Sequence, residues 1–340
     1  MTRSLPIFAI LLAVIMATDS PIASGEPPSI TASHSEPSRP LMVELPVATG
    51  HLSAADTLGR VQPAVANSLP DRLQAQSLLA GAVQALAARD SISARIRYEA
   101  YLFDKHLIGS GNYLEQHRDG KNLLRLELRT HLGDQSSSLV QVCDGRHLWT
   151  YHNLPGETKL SRIDAVRAAE ALGEAQKKPR SPDLGMLPGL GGLPQVLRGL
   201  DAAFDFTKIE QGRWGQRKQP VWRLTGQWKR GQLIKLLPDQ RAAIENGQPA
   251  ELSKLPEPLP DRAVVLLGQE DLFPYRFEYR REFAEEPTNP NEPTSRALVT
   301  MDLYEVNINV PIDPTQFIYN PPGLQPIDQT QHYLESLGLK

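Results

Sequence analysis

The chain has 340 residues, of which 40% are hydrophobic and 22% charged, with a formal net charge of -3 and a single cysteine. That charge gives no basic field for a phosphate backbone, and no Lys/Arg run is interleaved with aromatic residues, so nucleic acid is not an expected partner. Cys143 has no second cysteine to pair with, which excludes an intrachain disulfide framework, and its place in an apolar stretch reads as a small core residue.

Arg3 precedes an apolar run from Leu5 to Ala17, followed by Asp19, Pro21 and small residues in which Ala23 and Gly25 have signal-peptidase spacing. The run is shorter than the roughly 20 apolar residues of a membrane-spanning helix. Residues 1–25 are therefore predicted to be an export signal cleaved near Gly25, leaving a soluble periplasmic chain. Residues 26–66 are rich in Pro, Ser and Ala and show neither a period of two nor one of 3.6, which predicts a disordered tether. Residues 67–340 are read as one domain, at about 270 residues near the upper end for a single β-rich unit.

A helix is predicted from Ser68, with Pro70 in its first turn, to about Arg89, with Leu73, Leu79, Val83 and Leu86 as its apolar stripe. In ISARIRYEAYLFD, Ile92, Ala94, Ile96, Tyr98, Ala100 and Leu102 alternate with Arg95, Arg97 and Glu99, the pattern of a half-buried strand. Strands near 108–117, 122–130, 138–143 and 147–152 follow. Within them Leu124, Leu126 and Leu128 alternate with charged residues, and Asp144-Gly145 supplies a tight turn. Connections this short predict an antiparallel meander and disfavour a parallel nucleotide-binding sheet.

From Asp164 to about Leu200 the alternation breaks. DAVRAAEALGEAQKK suits a helix, GLGGLP a flexible loop, and a short helix starts at Pro194; together they read as a lid. Strands resume at FDFTKIE and PVWRLTGQWK, where Trp222, Leu224 and Trp228 share a face. An insertion at 230–262 holds the apolar GQLIKLLP and a short helix capped by Asp239 and closed by Gly247. AVVLLGQ, PYRFEYRREF and RALVTMDLYEVNIN are the last strands, and the tail QFIYNPPGLQPID ends the sheet. About ten such strands tend to curl. The fold class is α+β: a strongly curved, incompletely closed antiparallel β-barrel with a helical lid over its concave face, and a ligand cavity between the two layers.

No residue set offers recognisable catalysis. His147 and His152 point to opposite faces of one strand and cannot share a metal ion. GLGGLP lacks the strand-GxxxxGK[ST]-helix form of a phosphate loop, and Ser110 lacks the outer glycines of a nucleophile elbow. The carboxylate pairs Glu285-Glu286 and Glu270-Asp271 fall at strand ends in polar surroundings. Neither a cofactor nor a metal is predicted. Trp149, with Tyr151 on the same face, and Trp222 suit an apolar wall, and Arg118 in the turn QHRDGKN can grip a phosphate or carboxylate head group at the mouth.

The phrases SGNYLEQHRDGKNLLRLEL, VCDGRHLWTYH, KLSRID, LPQVLRGL, VWRLTG, DLFPYRFEY and VNINVPIDPTQFIYNPPG, in this order, resemble the periplasmic outer-membrane lipoprotein carrier (LolA-like) family over roughly residues 70 to 330. The resemblance implies a half-barrel with a helical lid enclosing a hydrophobic cavity for acyl chains of lipidated cargo. It also implies loading and acceptor proteins at the inner and outer membranes, a monomer, and no covalent chemistry. Arg118 stands where the family has an arginine in a K-R-P-N turn, with Asp119 replacing the proline. The tether and the 230–262 insertion depart from typical carriers. Members with the same fold also act as envelope sensors, so the alternative is a regulatory module that docks a partner through GQLIKLLP. The predicted ligand-binding set is Ile96, Tyr98, Leu126, Trp149, Trp222, Phe277 and Arg118.

Overall fold

The computed structural model describes residues 69–102, 105–118, 120–132, 135–176, 188–282, 295–320, 323–336 and 339. The predicted export signal and tether, and the pair Glu285-Glu286, lie outside the described residues. Helix α1 (Leu69–Ala87) leads into a meander of β1 (Ser91–Leu102), β2 (Lys105–Arg118), β3 (Lys121–Leu132), β4 (Gln135–Cys143), β5 (His147–Leu154) and β6 (Glu157–Asp164). Helices α2 (Ala165–Gln176) and α3 (Pro188–Ala203) connect it to β7 (Phe204–Trp214) and β8 (Gln219–Trp228). Then come the short helices α4 (Arg230–Leu236) and α5 (Arg241–Glu245), the strands β9 (Arg262–Gly268), β10 (Pro274–Glu282) and β11 (Ser295–Ile308), and finally β12 (Ile327–Asp328) and α6 (Thr330–Ser336).

Among the described residues, all twelve strands join one sheet in the order β12-β6-β5-β4-β3-β2-β1-β11-β10-β9-β8-β7. Every pairing is antiparallel except that of β12 with β6. The two ends do not meet, so the sheet is an open, curled half-barrel, as the alternation and short turns predict. The tally of twelve exceeds the expected ten because β6 and the two-residue β12 were not anticipated, nor was the closing helix α6. Among the described residues, no helix is long and apolar enough to cross a membrane.

Local chemistry sets the turns. Between β4 and β5, Gly145 takes φ 84, and the Asp144 carboxylate accepts the backbone N–H groups of Arg146 at 2.8 Å and His147 at 2.6 Å. The Asp-Gly pair thus closes the hairpin from both sides. In β2, Gly111 lies opposite Leu128, where a Cβ would overlap the Glu127 carbonyl, so only glycine permits this closeness of β2 and β3.

Register defines an inner face. One row runs Ile92, Glu115, Leu124, Cys143, Leu148, Ile163 across β1 to β6, and the next runs Ala94, Tyr113, Leu126, Gln141, Thr150, Ser161. On the other side of β1 the same face continues through Tyr98, Met301, Phe277, Val265, Leu224 and Ile209. Helix α1 packs on α3 and β7, and α3 packs on β3, β4 and β7. Their buried residues join the sheet's inner residues in one hydrophobic core. On α1 the buried stripe is Ala75, Leu79, Ala82 and Leu86, whereas Leu73 is 63% exposed. Leu73 is six residues before Leu79, which puts it on another side of a 3.6-residue helix.

The loop expected at GLGGLP is instead part of α3, helical on both sides of Gly192, with Gly192, Leu193 and Pro194 buried. The 230–262 insertion also differs from expectation. Leu233, Ile234 and Leu236 of GQLIKLLP pack against the core, and Leu237, Ile244, Leu255 and Leu259 are buried within it. Asp239 does not cap α5, whose N-cap is Gln240, but Gly247 closes that helix with φ 83. One guanidinium fastens the end of the insertion: Arg281 donates to the carbonyls of Ser253, Leu255, Pro256, Glu257 and Leu259 at 2.8 to 3.4 Å. Arg281→Ala is expected to loosen this segment by about 2 kcal/mol. Limited proteolysis checks this, since roughly thirtyfold faster cleavage within 251–260 corresponds to that loss.

The outer face carries a ladder of ion pairs. Arg276 forms a bidentate pair with Asp302 at 2.5 and 3.0 Å and reaches Glu278 at 3.0 Å, and Arg280 meets the other Glu278 oxygen at 2.9 Å. The Arg276 guanidinium also lies 4.1 Å from the Trp214 ring centroid. Burial pushes the Glu278 carboxyl up, but the cations of Arg276, Arg280 and Arg223 outweigh it and leave the group below the usual carboxylate range.

Candidate functional site

Strand phase brings five of the seven candidate residues onto one surface. Ile96, Tyr98, Leu126 and Phe277 lie on the inner face at 1 to 5% exposure, and Trp222, half-buried, packs against the same core. Trp222 shares its face with Leu224 and Trp228, as the sequence suggests. The face is covered: Leu79 and Leu86 of α1 and Leu193, Leu197 and Leu200 of α3 are buried with it.

Trp149 is not part of this surface. Leu148 pairs with Cys143 on the inner row, so Trp149 pairs with Val142 on the outer face, opposite to Leu126. Its indole N–H donates to Asp144 Oδ2 at 3.1 Å, which makes it a brace for the hairpin turn. The prediction that Trp149 shares a wall with Leu126 fails because the turn, and not the aromatic content of HLWTYH, sets the phase. Arg118 is exposed at the end of β2, opposite Lys121 in the turn between β2 and β3. By strand alternation from Glu115, it too lies on the outer side of the sheet.

The inner face is not uniformly apolar. Tyr113 and Glu115 lie at alternate positions of β2 with exposures of 5% and 0%, and His117 is half-buried beyond them. The Tyr113 hydroxyl donates to Glu115 Oε2 at 2.5 Å and accepts the Leu193 backbone N–H at 3.0 Å. Gly192, beside Leu193, has φ 60 and ψ -158, and a Cβ there would overlap the Glu115 carboxyl. Tyr98 Oη and Gln141 Oε1 are buried on the same face with no hydrogen-bond partner among the described residues. This polar group escaped sequence reading. Tyr113, Glu115 and His117 alternate visibly in NYLEQHR, but charged residues at alternate strand positions ordinarily read as a solvent face.

Cys143 is buried on the inner row, and burial pushes its thiol up to about 11, so it is protonated and unreactive at neutral pH. On the outer face a polar pocket of about 290 Å³ lies among Ser93, Arg95, Asn112, Glu127, Glu305 and Gln316. Its charges satisfy one another, Arg95 with Glu305 at 3.0 Å and Arg125 with Glu127 at 2.5 Å. The apolar chemistry therefore belongs to the inner face and the charge pairing to the outer one.

No protein-family model matches the chain, and no curated protein matches it. Among solved structures it is similar to a DUF1329 family protein from Desulfovibrio piger, with 14% identity over 73% of this chain and 98% of that one and a TM-score of 0.31. It is similar to a domain from Vibrio parahaemolyticus described as an outer membrane lipoprotein-sorting protein, with 10% identity, 72% and 97% coverage and a TM-score of 0.28. It is also similar to the lipoprotein LppX of Mycobacterium tuberculosis, with 11% identity, 72% and 99% coverage and a TM-score of 0.34. These are fold-level likenesses at low identity.

Proposed function

We propose that the chain is an exported carrier that holds the acyl chains of lipids or lipidated proteins between the inner sheet face and helices α1 and α3, without covalent catalysis. The observation that carries this reading is the breadth of the inner face. Rows of Ile, Leu and Phe span the strands of both half-sheets, and much of their cover is two helices that share no backbone ladder with the sheet. Such a cover can be exchanged for cargo. Each buried methylene contributes about 0.8 kcal/mol, so an acyl chain of about fifteen methylenes gains on the order of 10 kcal/mol. That gain is what would offset the apolar contacts that α1 and α3 give up on opening.

The export signal, the periplasmic location and the loading and acceptor proteins at the two membranes belong to the same proposal and rest on the sequence. The alternative, a sensor docking a partner through GQLIKLLP, loses its surface, because that run packs against the core. Native mass spectrometry after mild purification is expected to show lipid adducts. Leu126→Asp is expected to weaken uptake of a fluorescent fatty acid at least about tenfold, whereas Trp149→Phe stays within about twofold, with circular dichroism confirming that both fold. A chain that carries no lipid and takes up no fatty acid, or equal losses in the two variants, refutes the inner face as the binding surface.

A further inference from the structure

We propose that Tyr113, Glu115 and His117 form a proton-operated latch that holds α3 against the sheet and so governs access to the covered face, a regulation that rests on the carrier reading above. The three side chains occupy alternate positions of β2 on its inner face. Contacts run from one covering helix to the other. The Leu193 N–H of α3 donates to Tyr113, Tyr113 donates to Glu115 Oε2, and His117 Nε2 faces Glu115 Oε1 at 3.7 Å. On its other side His117 Nδ1 lies 2.8 Å from the Arg89 carbonyl, just beyond the end of α1.

Counting protons along this relay gives the switch. A carbonyl only accepts, so Nδ1 bears a hydrogen, and the contact between Nε2 and Glu115 Oε1 needs one more proton on either atom. With that proton on the ring, the contact at 3.7 Å is a charge pair, and with it on the carboxyl no charge is buried. Without it, a fully buried carboxylate faces a ring lone pair; Oε1 has no hydrogen-bond partner within 3.5 Å among the described residues, and the neighbouring Asn122 side chain offsets the cost only in part. Gly192 makes the closure tight, since its missing Cβ is what lets α3 sit on the carboxyl.

The elements around Glu115 contribute Ile92 from β1, Asn122 and Leu124 from β3, Cys143 from β4, and Gly192 and Leu193 from α3. Of these only the Cys143 thiol titrates, and burial keeps it protonated, so Tyr113 and His117 are the groups that set the state of Glu115. Burial pushes the Glu115 carboxyl up, and the Tyr113 hydrogen bond, the His117 charge and the Leu193 and Asn122 hydrogen bonds offset only part of that rise. Lifting α3 lets water reach Glu115 and returns it toward the ordinary carboxylate value. The closed form therefore binds the proton more tightly. Its advantage is complete at pH below the ordinary glutamate range and is lost as pH rises through the raised value.

Spin labels at Arg198 on α3 and Ser110 on β2, both exposed, report the separation of helix and sheet in the lipid-free chain by pulsed electron resonance. A single short distance is expected near pH 5, with a longer population growing toward pH 9. Glu115→Gln is expected to stay short throughout, because the amide accepts from Tyr113, donates to His117 and has no proton to lose. Tyr113→Phe is expected to show the longer population already near pH 5. A distribution indifferent to pH in the unsubstituted chain, or an unchanged pH response in Glu115→Gln, overturns the latch; should Glu115→Gln fail to fold, a Tyr113→Phe distribution that matches the unsubstituted one does so. Fatty-acid uptake measured in parallel separates the two ideas: pH-driven opening with no uptake at any pH removes carriage and leaves the latch, whereas uptake without opening removes the latch alone.

Discussion

Replacing Arg276 by alanine is expected to lower stability at neutral pH by about 3 to 5 kcal/mol, because it strands two buried carboxylates that share one guanidinium. The Asp302 and Glu278 side chains are 9% and 6% exposed and would lose their Arg276 bonds together, while Arg280 would remain for Glu278. The packing of Arg276 over Trp214 goes with it. The effect depends on pH with a definite sign. Glu278 is held below the usual carboxylate range, so its contribution is present above that range and fades as pH falls through the depressed value. Urea unfolding midpoints measured from pH 7 down to about pH 2 check this: the variant and the unsubstituted chain should differ most at pH 7 and draw together only below the usual carboxylate range. A difference under about 1 kcal/mol at pH 7 means that the outer ladder is solvated and carries little stability.

Gly192→Val is the second large effect. Gly192 sits in a backbone region that only glycine adopts without strain, which alone costs about 1 to 3 kcal/mol for another residue. The added Cβ also meets the Glu115 carboxyl. The combined cost is expected to fall on the seat of α3 and not on the sheet, since α3 is tied by the Leu193 bond to Tyr113 and by the Ala203 carbonyl to the Lys229 N–H and joins no strand ladder. Hydrogen exchange should therefore quicken in the amides of 193–203 by at least about a hundredfold while β1 to β5 stay protected. Equal loss of protection in sheet and helix contradicts this division.

Much of the sheet was readable because its strands are half-buried and alternate cleanly. Ile92 to Ala100, Leu124 to Leu128, and Trp222 with Leu224 and Trp228 all present the faces their pattern implies. Trp149 was misread because HLWTYH offers apolar groups at both phases, and only the turn at Asp144-Gly145 chooses between them. GLGGLP reads as a flexible loop because glycine and proline usually break helices. Its seat is made by Tyr113, whose hydroxyl accepts the Leu193 N–H, and by Glu115, which lies against Gly192 from 77 positions away, and no local pattern reveals either. The same distance hid the polar group itself, since a buried glutamate is legible only when the groups that satisfy it are known.

The seam between β1 and β11 has a consequence for how the chain reaches this fold. Beside it, the Asp90 N–H bonds to an Asn309 side chain 219 positions later, so joining the two half-sheets, β1 to β6 and β7 to β11, closes a loop of that length. Neighbouring hairpins within each half close small loops and assemble early, whereas the seam closes one of the longest loops in the chain and comes last. Until it does, β1 is an open edge whose inner side carries Ile92, Ile96 and Tyr98. The slowest step of folding is then expected to leave a sticky strand exposed, and Arg95, Arg97 and Glu99 along the other side of that strand are placed to discourage a second copy from pairing there first.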